Sequence, residues 1–417
     1  AALTACFAVA PLLASAVVAA LGAVMLSVTP WFVVACAGAV VAGLVRRVNA
    51  PDVQLGAVID TGLGEDCSER VTQRVRVPAG HPGQAPVIAE HRPQPRRRQR
   101  AAPMRALPDQ EQDLEVRLGP LGEALAELGP PLSALVAAAG DLDLDLRACS
   151  GATTADVTAT QLGALSSSTD RVSISVGGND AGFADVLTEC ALPGWSSDCN
   201  GAIDTAQSTI TSTLPGRLST LFGSIRTKAP SASVVVVGYP RLFMGEDCNA
   251  LTWFAPEEQT RLNGTADLLN ARLRTAATSA GFTFVDPTSR FTGHAVCDDP
   301  EWVNGLSNPI SESYHPNTAG HRDGYSPLAG APLTGAAVTV TPATTARADA
   351  GAAEQTARQR PRAEADRRIT PKTVRRPDLD SPRVRRAATR AGVDLDSPAS
   401  IMAADRAWSS RQADERR

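Results

Sequence analysis

Residues 171–180 read Arg-Val-Ser-Ile-Ser-Val-Gly-Gly-Asn-Asp, and this stretch decides the fold class. The alternation of apolar and polar residues over 171–176 predicts a β-strand, and the glycines that follow predict a turn. Residues 233–238 contain four consecutive valines, which is typical of a parallel strand buried on both faces. Another strand is predicted over 282–285.

Long helices are predicted between these strands, over 203–228 and over 256–280. The order strand, helix, strand, helix predicts an α/β domain with a parallel sheet. Sheets of this kind carry their chemistry in the turns after the strands. The turn at 177–180 is therefore a candidate site.

The segment just upstream also has regular patterns. Residues 118–139 carry leucines at three- and four-residue steps, which predicts a helix. Leu142, Leu144 and Leu146 then alternate with aspartates, which predicts a strand with one buried face.

The chain has 417 residues, enough for one large domain with additions or for two domains. Its formal net charge of -4 gives no reason to expect a nucleic-acid partner. A basic, proline-interrupted run at 91–100 is typical of disorder or a solvated tail, so residues 48–118 are predicted to have little order. Binding of nucleic acid through that run is a weak alternative.

Residues 1–47 form an apolar segment, since 1–45 contain no charged side chain. Their length suits a hairpin of two membrane spans of about 20 residues each, which predicts membrane association through the N-terminus. One long span, a damaged signal and a mistranslated segment are the alternatives. Arg46 and Arg47 favour a cytoplasmic side for the rest of the chain, whereas the cysteines argue for the opposite side.

The chain contains eight cysteines, of which Cys6 and Cys36 lie in the apolar segment. The other six form no C-x-x-C pair and histidines are few and scattered, so no metal site and no organic cofactor are predicted. An even set of spaced cysteines fits three disulfides in an oxidising compartment, and buried free thiols are the alternative. Cys190 and Cys199 bracket a short loop and are the best-supported pair for a disulfide. The expected location is extracellular, or membrane-anchored and facing outside.

Residues 329–417 are rich in Ala, Arg and Asp, which predicts a charged appendage that is helical or partly disordered. The sequence Asp-Leu-Asp-Ser-Pro occurs twice, at 378–382 and 394–398. Because Ser followed by Pro suits an N-cap and a first helical position, each copy is predicted to open a short helix. A solvated charged surface is the simplest role; binding to a cell wall or to another protein is the alternative.

Two further blocks carry groups suited to acyl transfer. Residues 148–154 read Ala-Cys-Ser-Gly-Ala-Thr-Thr, and residues 312–317 read Glu-Ser-Tyr-His-Pro-Asn. Cleavage of an ester needs a nucleophile, a base and donors for the developing oxyanion. The main-chain N–H of Gly151 and the amide of Asn179 are suitable donors, and His315 is a candidate base. Each signal alone is weak, because a lone His beside a Pro is more often a surface residue.

Taken together, the order of these blocks resembles the SGNH or GDSL-like hydrolase family, in particular the actinobacterial secreted lipases and esterases. The resemblance covers about residues 133–325 and implies a three-layer α/β/α domain over 119–328. It also implies that Gly151 and Asn179 are oxyanion donors, that His315 is the catalytic base and that the substrate is an ester or lipid.

The resemblance extends to disulfides and to the partner of the base. It implies pairs Cys190–Cys199 and Cys248–Cys297, with Cys149 paired upstream. Glu312 stands three residues before His315, where many relatives have the acid of a triad. A main-chain carbonyl near Ser313 is the other candidate partner, and we favour it slightly.

The expected nucleophile is missing, because Gly-Asp-Ser occurs nowhere in the chain. Thr61 and Ser68 are weak substitutes. Three explanations of the missing motif are open. The coding sequence upstream is read in a wrong frame, the protein is an inactive relative, or a different hydroxyl acts as the nucleophile. We therefore predict a carboxylic ester hydrolase with a Ser-His mechanism; the alternative is a non-catalytic binding module.

Overall fold

The computed structural model describes residues 59–60 and 130–414, which belong to one compact unit, Gln54–Arg417. Its centre is a parallel four-stranded sheet in the order β1-β2-β3-β4. The strands are β1 Ile59–Asp60, β2 Arg171–Ser175, β3 Ser233–Val237 and β4 Thr283–Val285. Three of the four strands predicted from the sequence, at 171–176, 233–238 and 282–285, are confirmed, and β1 is an addition.

The register brings the ends of the strands to one edge of the sheet. Asp60 at the end of β1 lies opposite Ser175 at the end of β2. Val236, near the end of β3, lies opposite Phe284 of β4. The turns that follow β2 and β3 therefore lie beside each other at the carboxyl edge.

Helices connect and flank the strands. They are α1 Leu132–Gly140, α2 Thr154–Asp156, α3 Phe183–Cys190, α4 Cys199–Ser208, α5 Leu214–Lys228, α6 Pro256–Ser279, α7 Ser326–Thr334, α8 Pro342–Gln359, α9 Ala363–Asp366, α10 Pro382–Ala391 and α11 Pro398–Asp414. A π-helical turn, Thr209–Thr213, joins α4 to α5, so the long helix predicted over 203–228 is continuous.

The side chains of the strands alternate between two apolar cores, here called the first and the second core. The first core covers the face that carries Ile174 and Val236, and α5 and α6 pack on it through residues such as Phe222 and Leu273. The second core covers the face that carries Val235 and Val237, with contributions from α1, α3 and α7. A sheet with helices on both faces is a three-layer α/β/α domain, as predicted.

The alternating segment 142–146 differs from its predicted strand. Leu144 and Leu146 are buried, but the segment belongs to none of the named strands in the described part of the chain. Asp143 and Leu146 are β-bridge residues, and side chains of α8 also form hydrogen bonds with the main chain of the segment. The amide of Gln355 accepts from the N–H of Leu146 (3.1 Å) and donates to the carbonyl of Leu144 (2.7 Å).

The disulfides follow the pattern that the resemblance implied. Cys190 is bonded to Cys199, and Cys248 is bonded to Cys297. Cys149 is disulfide-bonded as well. Cys190–Cys199 links the end of α3 to the start of α4, and Cys248–Cys297 links the segment between β3 and α6 to the segment after β4.

The C-terminal residues are helical and pack on the α/β domain. A buried ion pair joins Arg147 to Asp366 at 2.8 Å, and Arg383 pairs with Glu189 on α3. Both predicted helix starts are confirmed. Ser381 caps α10 by accepting from the N–H of Val384, and α11 begins at Pro398.

Two sequence predictions fall outside the described residues, namely the membrane hairpin at 1–47 and the low-order segment at 48–118, apart from Ile59–Asp60. Within residues 130–414, no helix is both long enough and apolar enough to cross a membrane.

The buried ion pair between Arg147 and Asp366 is expected to stabilise the packing of the C-terminal helices on the α/β domain. Arg147 and Asp366 are 1% and 5% exposed, so removing one partner leaves a charge without compensation in the interior. Asp366→Ala should lower the free energy of unfolding by about 3–5 kcal/mol, measured by urea denaturation. Arg385→Ala removes the exposed pair with Asp380 and should change it by less than about 1 kcal/mol. Equal effects of the two substitutions would contradict this assignment.

Candidate active site

The turn after β2 places an amide side chain beside the loop that contains Gly151. Gly177 has a φ of 110°, a conformation that favours glycine. The N–H of Gly178 donates to the hydroxyl of Tyr239, which follows β3 (3.3 Å). The side-chain amide of Asn179 donates to the carbonyl of Ala152 at 3.1 Å. The amide group of Asn179 and the main chain of residues 151–152 are thereby held together.

Asp180 joins the same two loops by its carboxylate. It accepts from the N–H of Thr154 at 2.8 Å and from the hydroxyl of Thr154 at 2.7 Å. Arg217 on α5 lies 3.1 Å away, and the carboxylate side chain is 0% exposed. Charge-assisted hydrogen bonds to a buried carboxylate are strong and fix the groups that they join. Asp180 therefore sets the position of residues 151–154 relative to the turn after β2.

Gly151 lies under the C-terminal residues. Its φ is 82°, and a Cβ at this position would stand 2.2 Å from the carbonyl oxygen of Thr370 and 2.8 Å from the nitrogen of Lys372. Any side chain here would collide with that main chain. Glycine is thus required by both the conformation and the close approach.

His315 lies in a turn that is stabilised by three hydrogen bonds to Asn304. The main chain of Asn304 exchanges hydrogen bonds with Tyr314 (3.1 Å) and His315 (2.9 Å), and its side-chain amide donates to the carbonyl of Glu312 (3.1 Å). Tyr314 takes a left-handed φ of 60°, which is an outlier for a bulky residue. Such strain persists only where the surroundings enforce it, and here it presents the imidazole.

The imidazole is oriented by a carbonyl. Nδ1 of His315 lies 3.0 Å from the carbonyl oxygen of Ser313, so Nδ1 carries the proton and Nε2 is left to accept one. Desolvation lowers the pKa of His315 from 6.5 to about 4, and the bond to the Ser313 carbonyl acts in the opposite direction. The imidazole is therefore neutral near pH 7.

One cavity brings these groups together, with a volume of about 1040 Å³ when its open mouth is included. Gly151, Asn179 and His315 all line it, although they come from three separate blocks of the sequence. The rest of the wall is largely apolar and includes Ala181, Phe183, Val186, Leu187, Ala206, Ile210, Leu242, Leu262, Ala266, Leu269 and Val303.

Known proteins share this part of the chain. The model of the GDSL-like lipase/acylhydrolase family matches residues 119–322. "Lipase 1" of Streptomyces coelicolor is 47% identical over 186 residues, which is 44% of this chain and 68% of that protein. The chain belongs to the GDSL-like lipase/acylhydrolase family.

Further relatives belong to the same genus. The "Lipase" of Streptomyces rimosus is 42% identical over 182 residues, 43% of this chain and 67% of that protein. Among solved structures, phospholipase A1 from Streptomyces albidoflavus is 42% identical with a TM-score of 0.46, covering 49% of this chain and 86% of that one. The extracellular lipase of Streptomyces rimosus is 39% identical with the same TM-score and coverage.

Within this GDSL-like domain, the structure treats the four predicted site residues differently. Gly151, Asn179 and His315 share the cavity, whereas Glu312 ends a 3₁₀ turn, Ile310–Glu312, and is not part of the cavity lining. The carbonyl of Glu312 accepts from the N–H of His315 at 3.3 Å. Between the two candidate partners of the base, the described hydrogen bond of Nδ1 goes to Ser313. A role for the Glu312 carboxylate stays a prediction.

Sequence reasoning missed Asp180, Asn304 and the main chain at 370–372. Asp180 stands in the quoted Gly-Gly-Asn-Asp turn, so its position was visible, but its partners on another loop were not. Nothing in the sequence around Asn304 or residues 370–372 indicated a contact with the site.

The two substitute nucleophiles, Thr61 and Ser68, lie outside the described residues. Within residues 130–414, no serine or threonine hydroxyl is hydrogen-bonded to Nε2 of His315. β1 ends at Asp60, which lies opposite Ser175 at the carboxyl edge of the sheet.

The lowered pKa of His315 can be measured without turnover. Because the folded state holds the imidazole neutral and an unfolded His titrates near 6.5, the unfolded state binds more protons between pH 6.5 and about 4. Stability should therefore fall as the pH drops through this window. In NMR titrations of the five histidines, the signal lost in His315→Gln should have its midpoint near pH 4. A midpoint at 6.5 or above would refute the desolvated environment.

Proposed function

We propose that this chain hydrolyses carboxylic esters of lipids, with His315 as general base and with Gly151 and Asn179 as oxyanion donors. The observation that carries the proposal is the shared cavity, which brings a neutral imidazole and two kinds of N–H donor together in an apolar wall. Membership of the GDSL-like family supports it. None of the relatives favours a non-catalytic binding module.

The base acts through Nε2. With Nδ1–H donating to the Ser313 carbonyl, Nε2 accepts the proton of the attacking hydroxyl and later delivers it to the leaving alcohol. Water then attacks the acyl-enzyme, and the same nitrogen takes its proton. Because the ring is already neutral near pH 7, no deprotonation has to precede the first step.

The oxyanion donors stabilise the charge that develops on the ester carbonyl. Two N–H groups held rigidly before the reaction are effective because they need no reorganisation. The hydrogen bonds of Asp180 to Thr154 supply that rigidity, since they join the loop of Gly151 to the turn of Asn179.

An acyl chain suits the apolar wall of the cavity. Burial of its methylene groups against side chains such as Leu187, Ile210 and Leu262 contributes about 0.8 kcal/mol each. The names "Lipase" and phospholipase A1 of the relatives agree with a lipid ester as substrate.

An extracellular location is part of the proposal. Its supports are the disulfides Cys190–Cys199 and Cys248–Cys297, which persist in oxidising compartments, and the extracellular lipase among the relatives. Membrane association through residues 1–47 is a separate proposal that rests on their apolar composition.

Thr61 is the hydroxyl to test first as nucleophile, because β1 ends immediately before it at the edge that carries Asn179. In the full chain, Thr61→Ala should abolish hydrolysis of a p-nitrophenyl acyl ester, whereas Thr61→Ser should retain or raise it because serine is less crowded. His315→Ala should lower kcat/KM by about 10²–10⁴-fold. Ser68→Ala is the matched control and should have no effect.

A fluorophosphonate probe gives an independent readout, since it forms a covalent adduct with an activated hydroxyl. Peptide mass analysis should place the adduct on Thr61 and should find none in His315→Ala. An adduct on Ser68 would reassign the nucleophile. Hydrolysis by wild type that His315→Ala does not reduce would reject the proposed mechanism.

A further inference from the structure

A basic segment, here called the strap, passes beside the cavity and contributes Lys372 to its lining. Residues 367–376 read Arg-Arg-Ile-Thr-Pro-Lys-Thr-Val-Arg-Arg, with five cations and no acidic residue. This strap lies beyond the part of the chain that matches the family model, which ends at residue 322.

Two apolar residues anchor the strap. Ile369 is 5% exposed and belongs to the first core, and Val374 is 2% exposed and belongs to the second core. Because these cores cover opposite faces of the sheet, the strap passes from one face to the other. Between the anchors, Thr370 lies on Gly151 and Lys372 lines the cavity.

The cations of the strap are accessible to solvent, unlike these two anchors. Arg367, Arg368, Lys372, Arg375 and Arg376 are all exposed. Arg375 lies 3.7 Å from Asp185, an exposed pair of little strength. No ion pair involves the other four within residues 130–414. The strap is thus a cluster of exposed positive charges, one of which, Lys372, lines the apolar cavity.

We propose that the strap is a docking surface for an anionic lipid surface, which it brings to the mouth of the cavity. Basic segments bind anionic membranes by charge, and each Lys or Arg near the surface adds to the affinity. A nucleic acid fits less well because the strap has no aromatic residue on which a base could stack. The inference rests on the proposed function only for the reason why a lipid should be brought there.

The test is sedimentation of the full chain with vesicles, read without turnover. Wild type should bind vesicles of phosphatidylcholine with phosphatidylglycerol more tightly than vesicles of phosphatidylcholine alone. The variant R367Q/R368Q/R376Q should lose this preference by on the order of 100-fold, because each cation contributes roughly fivefold. These three arginines are exposed and belong to no proposed catalytic group.

The matched control is R386Q/R390Q/R406Q on α10 and α11. It removes the same number of exposed charges, and those arginines form no ion pair within residues 130–414. Its effect should stay below about tenfold, since these cations are not part of the strap. Equal losses in both variants would mean that net charge alone governs binding and would overturn the proposal.

Two further outcomes are decisive. Equal binding of wild type to both kinds of vesicle, as expected for insertion of the apolar residues 1–45, would overturn the proposal. Binding of wild type to phosphatidylglycerol must also weaken steeply as sodium chloride is raised. If the charge preference is found but no ester is hydrolysed, the proposed function fails while the docking surface stands.

Discussion

The buried carboxylate of Asp180 is the interaction on which the site depends. It lies at the end of the turn after β2 and holds Thr154, two residues beyond the loop of Ala152 and Gly151. Arg217 on α5, which is 48% exposed, pairs with the carboxylate at 3.1 Å. Without it, only the hydrogen bond from the Asn179 amide to the Ala152 carbonyl would join the loops of the two proposed oxyanion donors.

The spacing of apolar residues predicted three strands of the sheet. β2, β3 and β4 are long enough to show either an alternation of apolar and polar residues or a continuous apolar run. β1 has only two residues and lies in a segment without periodicity, so no pattern could reveal it. The alternating leucines at 142–146 were a true sign of one buried face. The main chain of Leu144 and of Leu146 is hydrogen-bonded to Gln355, more than 200 residues away, which a local pattern cannot indicate.

Motif order predicted Gly151, Asn179 and His315, since each stands in a short block whose chemistry can be recognised. The support of these residues could not be predicted in the same way, because Asn304 and Asp180 act through contacts between loops. The tail shows the same contrast. Local capping rules predicted the starts of α10 and α11, whereas the strap depends on Ile369 and Val374, two isolated apolar residues among arginines.

A double-mutant cycle between Asp180 and Thr154 tests the central claim most directly. Asp180→Asn, Thr154→Val and the double variant would be compared by urea unfolding of the full chain. If the carboxylate fastens the two loops through Thr154, the effects are non-additive, with a coupling of about 0.5–3 kcal/mol. Additive effects, to within about 0.5 kcal/mol, would show that the two loops are held together by something else.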